Sequence, residues 1–323
     1  MPAIFNPPLS TQRYCWVQRY LEQSPHLTSL TDVGCGNGRM LLWTKVVPQI
    51  EKINCIDADA IMLECEMDHH FRPNLFEMIM GRRTSTSPVQ INVFQGDIAV
   101  PDDRLQADCF TLIEMIEHIT LEHLEKVSRT VFGYYKPKCV IVSTPNSEFN
   151  PLLRQHAEDS GESLGPFRPK DPNNPFRHWD HKFEWTRAEF ISWAQTICTN
   201  FGYDFFIDGV GELPGSEPYG PCTQIAIFQL KPSCGSGVSI QSDLACFDLL
   251  INKLSVKEQK SEFLGDLEKK RICLMATFKV PGYSIDNPPP THSDFDWSTL
   301  NLDESNSTQQ EQQQCDQTMT NAD

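Results

Sequence analysis

Residues 27–38 read Leu27-Thr-Ser-Leu-Thr-Asp32-Val-Gly34-Cys-Gly36-Asn-Gly38. A short run of strand length meets an acid and then three glycines at alternate positions. Met40, Leu41, Leu42, Trp43 and Val46 follow at helical density. The unit is therefore a strand, a glycine turn and the start of a helix. Glycines allow the tight turn and let a nucleotide-type ligand come close to the backbone. Asp57 closes the next apolar run, 19 residues beyond Gly38. A carboxylate in that place can accept both hydrogen bonds of a ribose diol. The spacing G-x-G-x-G departs from the dinucleotide pattern G-x-G-x-x-G, which weakens a dinucleotide reading. A glycine turn that holds no ligand is the other alternative.

The same alternation continues on both sides. Residues 11–23 carry Tyr14, Val17, Tyr20 and Leu21 at helical spacing. Residues 52–57 predict a second strand and 58–70 a helix. Residues 89–94 alternate apolar and polar and end at Gln95-Gly96-Asp97. A fourth strand over 108–114, a helix over 121–134 and a fifth strand over 139–143 follow. Residues 150–180, rich in Pro, Asn, Asp and Gly, show no period and read as a long irregular segment of functional type. A helix over 186–199 and strands over 204–209 and 224–230 complete the pattern. Strands alternating with helices predict an α/β fold with a doubly wound, mostly parallel seven-stranded sheet. The last two strands lack an intervening helix, so one runs antiparallel at the edge.

This assigns residues 1–230 to one domain. Residues 231–283 form an extension, with a helix expected near 243–254 and a strand over 272–280. Residues 284–323 hold a proline run at 288–290 and a glutamine-rich run at 309–314, and read as a disordered polar tail.

The net charge is −16, and residues 1–230 carry 19 Lys and Arg against 29 Asp and Glu. That is the wrong sign for gripping a long nucleic acid through its phosphates, although it leaves room for handling one RNA end. The stretch 166–187 is locally basic. The 12 cysteines are scattered without a C-x-x-C pair and read as reduced, buried residues of an intracellular protein. The N-terminal residues lack the pattern of a signal peptide, and no apolar run has membrane-span length.

Two remote segments carry the candidate chemistry: Glu114-Met-Ile-Glu117-His118 and Asp180-His181-Lys-Phe-Glu184-Trp185. If the chain turns helical at the first, its spacing puts two carboxylates and an imidazole on one face. His181 then gives a divalent cation its fourth protein ligand. Magnesium prefers oxygen donors, whereas nitrogen donors favour manganese, cobalt or iron. The alternative is a metal-free structural segment and a structural His181. Phe183 and Trp185 are read as core residues in preference to base-stacking ones. His69, His70 and His123 are read as surface residues without a visible partner.

The stretch Asp32 to Gly38, with acids at Asp57 and Asp97, resembles the class I S-adenosylmethionine-dependent methyltransferases. The resemblance implies S-adenosylmethionine held by Asp32, Gly34, Gly36, Gly38, Asp57 and Asp97. Three further runs, Phe5-Asn-Pro-Pro-Leu-Ser-Thr-Gln-Arg-Tyr14, Ser143-Thr-Pro-Asn-Ser-Glu-Phe-Asn150 and Asp180-His-Lys-Phe-Glu-Trp-Thr-Arg187, together resemble the small-RNA 3′-terminal 2′-O-methyltransferases, in the short animal form that modifies Piwi-interacting RNAs. The likeness covers residues 5–230, and the last run is its most specific part. It implies a divalent cation, nominally Mg2+ with Mn2+ as the alternative from ligand chemistry, bound by Glu114, Glu117, His118 and His181. An imidazole not tied to the cation at that instant, that of His118 or His181, can accept the proton. Arg13, Arg177 and Lys182 are candidates for RNA contact. The expected partner is a Piwi-type Argonaute presenting the RNA 3′ end to a monomeric cytoplasmic enzyme, in RNA granules among other places. A small-molecule O- or C-methyltransferase of the same fold and a non-catalytic RNA-end adaptor are the competing readings.

Overall fold

The computed structural model describes residues 5–71, 88–160, 176–232 and 272–280. Helix α1 (Leu9–Glu22) precedes β1 (Ser29–Val33), and the glycine loop leads from β1 to a short helix, α2 (Leu41–Thr44). The chain continues through β2 (Lys52–Asp57), α3 (Ala60–Glu66), β3 (Val89–Gln95), β4 (Cys109–Ile113), α4 (Leu121–Ser128) and β5 (Cys139–Pro145). Helices α5 (Asn150–Ser160) and α6 (Arg187–Phe201) then lead to β6 (Tyr203–Val210), β7 (Thr223–Leu230) and β8 (Cys273–Val280).

The strands lie in the order β6-β7-β5-β4-β1-β2-β3-β8. Strands β1 to β5 are parallel. Strand β7 is antiparallel to both β5 and β6, and β8 is antiparallel to β3. The expected doubly wound α/β sheet is present, but with eight strands instead of seven. The eighth comes from beyond residue 230, so the sheet draws on the extension. The expected helix near 243–254 and the tail at 284–323 lie outside the described residues.

Alternation along the central strands makes two cores. In β5, Val140 and Val142 join Phe110, Leu112, Phe132, Phe190 and Phe228 on one face. Cys139 and Ile141 join Leu30, Ile53, Val17 and Leu21 on the other. Each such fully buried aliphatic or aromatic side chain stabilises the fold by roughly 1.5–3 kcal/mol. None of the described cysteines is in a disulfide, and those at 35, 55, 109, 139 and 222 are buried.

Three element expectations need correction. Helix α5 occupies the start of the segment read as irregular, because Leu153 packs with Phe149 and Cys222 in a small third core. Helix α4 stops at Ser128 and widens into a π-helical turn over Arg129–Tyr135. The segment carrying Glu117 and His118 is a single 3-10 turn, Ile116–His118, and Glu114 lies outside it.

The chain winds outward from β1 through β2 to β3, and in the other direction from β4 to β5. Loops leaving the carboxyl ends of β1 and β4 therefore diverge, which opens a crevice between them.

Candidate active site

The glycine loop forms one wall of that crevice. Gly34, Gly36 and Gly38 have φ of 68°, 52° and 71°, the left-handed region that glycine enters at no steric cost. A Cβ at Gly34 would lie 2.4 Å from Met115 Cγ, so the loop presses directly on the segment carrying Glu114 and Glu117. A Cβ at Gly36 would meet nothing closer than Met62 Sδ at 3.7 Å, which leaves the outer side of the loop open. Asp57, at the end of β2, accepts the Gly36 N–H at 2.8 Å through Oδ2 and the Asp59 N–H at 2.9 Å through Oδ1. These bonds fix its carboxylate while leaving lone pairs for a ligand hydroxyl. Asp97 Oδ1 accepts the Ala99 N–H at 2.9 Å and lies 3.1 Å from His123 Nε2. His123, expected without a partner, is thus paired with a candidate cofactor residue. Asp32 is buried beneath the loop and accepts the Thr111 hydroxyl at 3.0 Å. Burial, with the nearby charge of Asp57, pushes its carboxyl up to about 7.

The opposite wall starts at the end of β4. Glu114 has φ 52°, a left-handed conformation that costs a non-glycine residue about 1–2 kcal/mol. Its N–H donates to Ser143 O at 3.1 Å, its Oε1 accepts the Ser143 hydroxyl at 2.9 Å, and its Oε2 lies 3.3 Å from Arg13 Nη1. This kink, and not a helical face, presents the two carboxylates. Glu117 is fully buried. Its Oε2 accepts the Thr144 hydroxyl at 2.9 Å, but its Oε1 has no hydrogen-bond partner among the described residues. Burial and the adjacent Glu114 charge raise the Glu117 carboxyl well above its usual range.

The second segment is tied to the first by the Lys182 N–H, which donates to Glu117 O at 2.7 Å. The ring centroids of His118 and His181 are 4.8 Å apart at 85°. His118 Nδ1 lies 2.9 Å from Asp180 Oδ2, and His181 Nδ1 lies 2.5 Å from Glu184 Oε1. Burial works against ionisation of both acids. Lys182 and His118 nevertheless hold Asp180 low, and His181, Arg177 and Asn150 hold Glu184 low. An ionised carboxylate can only accept, so each imidazole donates to its acid through Nδ1, which leaves Nε2 as the ring atom that could ligate a metal. Asp180 and Glu184 were not expected in this role, although both stand in the same D-H-K-F-E run as His181. His178, three residues before His181, also joins the group, and one ligating atom from each of the three histidines lies within 4.8 Å of the others. Burial and the neighbouring His181 and His118 rings lower its pKa.

Among the described residues the ligating atoms that group together are those of His118, His178 and His181; Glu114 and Glu117 stand outside that group, joined to it through the backbone by the Lys182 N–H to Glu117 O bond. The donor set of imidazoles with a buried carboxylate oxygen that has no partner among the described residues is chemically suited to a divalent cation. The charge of Glu114 next to Glu117 reinforces that fit, because a cation relieves the repulsion between two close carboxylates.

The basic residues divide. Arg177 is buried and does not face solvent: its guanidinium donates to Asn150 Oδ1, Cys222 O and Asn146 O, and its N–H to Glu184 Oε1. This corrects its expected place at the RNA phosphates; Arg177 holds the second segment onto the sheet. Arg13 is mostly buried against Glu114 and Thr223. Lys182 is half-exposed and pairs with Asp180 Oδ1 at 2.9 Å. Phe183 and Trp185 pack into the core, as expected. Among the described residues no helix is long and apolar enough to cross a membrane.

A doubly wound sheet with a glycine loop at its switch point and an acid ending the second strand defines a class I methyltransferase fold. No family model matches the chain. The rat small RNA 2′-O-methyltransferase is 34% identical over 227 residues, covering 70% of this chain and 52% of that protein. The chicken (Gallus gallus) small RNA 2′-O-methyltransferase is 36% identical over 229 residues, covering 70% of this chain and 55% of that protein. The crystal structure of the methyltransferase domain of bacterial CtHen1 is 30% identical with a TM-score of 0.54, covering 70% of this chain and 100% of that one. The chain belongs to the small RNA 2′-O-methyltransferase family. It spans about half the length of these curated relatives.

Proposed function

We propose that this chain transfers the methyl group of S-adenosylmethionine to the 2′-oxygen of the 3′-terminal nucleotide of a small RNA, with the help of a divalent cation. The observation that carries the reading is the contact between two half-sites. The open glycine loop touches Met115, and Met115 joins Glu114 to the turn that buries the unpartnered Glu117 oxygen.

Gly34, Gly36 and Gly38 admit the cofactor, Asp57 accepts its ribose hydroxyls, Asp97 offers a further acceptor, and Asp32 supports the loop. Glu114, Glu117, His118 and His181 would hold the cation, which when bound would supply Lewis-acid stabilisation of negative charge on the ribose 2′-oxygen and would make a free 3′-hydroxyl beside it a requirement. Ser143 and Thr144 aim the carboxylates, and Asp180 and Glu184 aim the imidazoles. Whichever of His118 and His181 is not tied to the cation at that instant accepts the 2′-hydroxyl proton. A sulfonium methyl needs no protein nucleophile, so in-line positioning supplies much of the rate. Lys182 stands at the exposed edge for a terminal phosphate.

The acidic balance of residues 1–230 is unsuited to holding an RNA body. A Piwi-type Argonaute presenting the 3′ end to a monomeric enzyme in the cytoplasm supplies what this surface lacks.

The test uses synthetic RNAs ending in a 2′,3′-diol, a 3′-phosphate or a 2′-deoxy sugar. Labelled methyl is expected on the diol alone, and in ion-stripped protein Mn2+ should restore the activity at least as well as Mg2+. Incorporation into none of the three RNAs would overturn the activity; equal incorporation into the 3′-phosphate RNA would overturn the grip on the diol.

A further inference from the structure

His178 stands in the three-histidine group but is not among the four cation ligands proposed above. Its ring lies 5.2 Å from that of His181 and 5.8 Å from that of His118, centroid to centroid. It is half-buried on the same short turn that carries Asp180 and His181. Its Nδ1 accepts the Asp180 N–H at 3.2 Å, a long bond to a backbone donor. His118 and His181, in contrast, are each locked through Nδ1 by a carboxylate. Two imidazoles are therefore committed in orientation, and a third stands beside them on a weak tether.

We propose that His178 is a conditional third imidazole ligand, which joins the cation site when the ion prefers nitrogen and stays on its backbone tether when the ion is magnesium. The inference rests on the cation site proposed above and gives that site its ion selectivity. Recruiting the ring means giving up one long neutral hydrogen bond, from the Asp180 N–H. Cobalt, zinc and manganese gain a nitrogen ligand in return. Magnesium keeps oxygen ligands and its own waters, so it has nothing to offset that loss. The ligating atoms lie within 4.8 Å of one another, so a modest rotation of a tethered ring closes the set, without movement of the sheet.

The full chain stripped of ions is titrated calorimetrically with cobalt(II) chloride and, separately, with magnesium chloride, and the visible absorption of bound cobalt is recorded. His178→Ala is expected to weaken cobalt binding roughly tenfold or more and to change the cobalt spectrum, since an imidazole has left the ion. Its magnesium affinity should stay within about twofold. Thermal unfolding of the ion-free variant monitors its fold. Cobalt affinity and spectrum unchanged in His178→Ala, with both lost in His181→Ala, would overturn this inference and leave the cation site standing. Equal weakening for both ions would also overturn it, because the ring would then be a general support. Cobalt and magnesium both failing to bind the unaltered chain would remove the cation site itself and the inference with it.

Discussion

Glu117 is a carboxylate that folding has buried with one of its two oxygens lacking a partner among the described residues. An isolated buried charge of this kind is expensive, and the protonated form is favoured instead, which is the direction in which its pKa is moved. The residue therefore weakens the ion-free protein in order to serve a ligand. Glu117→Gln keeps the shape, removes the charge and leaves an acceptor for the Thr144 hydroxyl. The ion-free variant is expected to melt higher than the unaltered chain at neutral pH, to lose the stabilisation that Mn2+ gives, and to lose RNA methylation by several orders of magnitude. Melting curves with and without Mn2+ and the RNA assay check all three; a variant that melts lower and retains its Mn2+ response would contradict this role. Arg177 and Lys182, five residues apart in sequence, teach a related lesson. Both carry positive charge in the same basic stretch, yet one is buried behind Asn146, Asn150 and Cys222 while the other reaches solvent. Residue type gave both the same expectation, and only packing separated them.

Among the elements, α6 shows what local sequence controls well. Thr186 accepts the Glu189 N–H and the Glu189 carboxylate accepts the Thr186 N–H, a reciprocal cap, and Gly202 at φ 77° ends the helix. Thr186→Ala should lower stability by about 1 kcal/mol, read from urea unfolding, with the methylation rate unchanged. A loss of activity without a loss of stability would mean that the cap also sets the site. The turn at Glu114 is the contrary case. The i, i+3, i+4 spacing of Glu114, Glu117 and His118 suggested one helical face, but hydrogen bonds from its N–H to Ser143 hold Glu114 at positive φ on the end of β4. Those bonds come from β5, a strand nearly thirty residues away in sequence, which local periodicity does not see. Strand β8 was legible as a strand over 272–280, but its place along β3 depends on a backbone pairing between segments far apart in the chain.

For the whole molecule, buried acids set the pH response. Asp32 and Glu117 both hold their protons more tightly in the folded chain than in the unfolded one. Folding therefore takes up protons above the ordinary carboxylate range, and the stability these groups contribute is lost as pH rises. Raising the Asp32 carboxyl from 3.8 to about 7 corresponds to on the order of 4 kcal/mol. Asp180, Glu184, Asp108 and Glu148 are shifted down and act in the opposite sense, losing their contribution as pH falls. Comparing the ion-free, cofactor-free chain with Asp32→Asn isolates the first effect: the urea midpoint of the unaltered chain should drop relative to the variant between about pH 4 and about pH 7. Parallel midpoints across that range would show that Asp32 is ionised in the fold. The sequence by itself determined the doubly wound sheet, the glycine loop with its acids and the two segments that carry the candidate ligands. Period, turn chemistry and motif spacing are local properties, written within a few tens of residues. Tertiary structure alone decided that Glu117 keeps an oxygen without a partner among the described residues, that Asp180 and Glu184 orient the imidazoles, that His178 stands beside them and that Arg177 is internal. Each of these depends on which remote side chains burial brings within hydrogen-bonding distance.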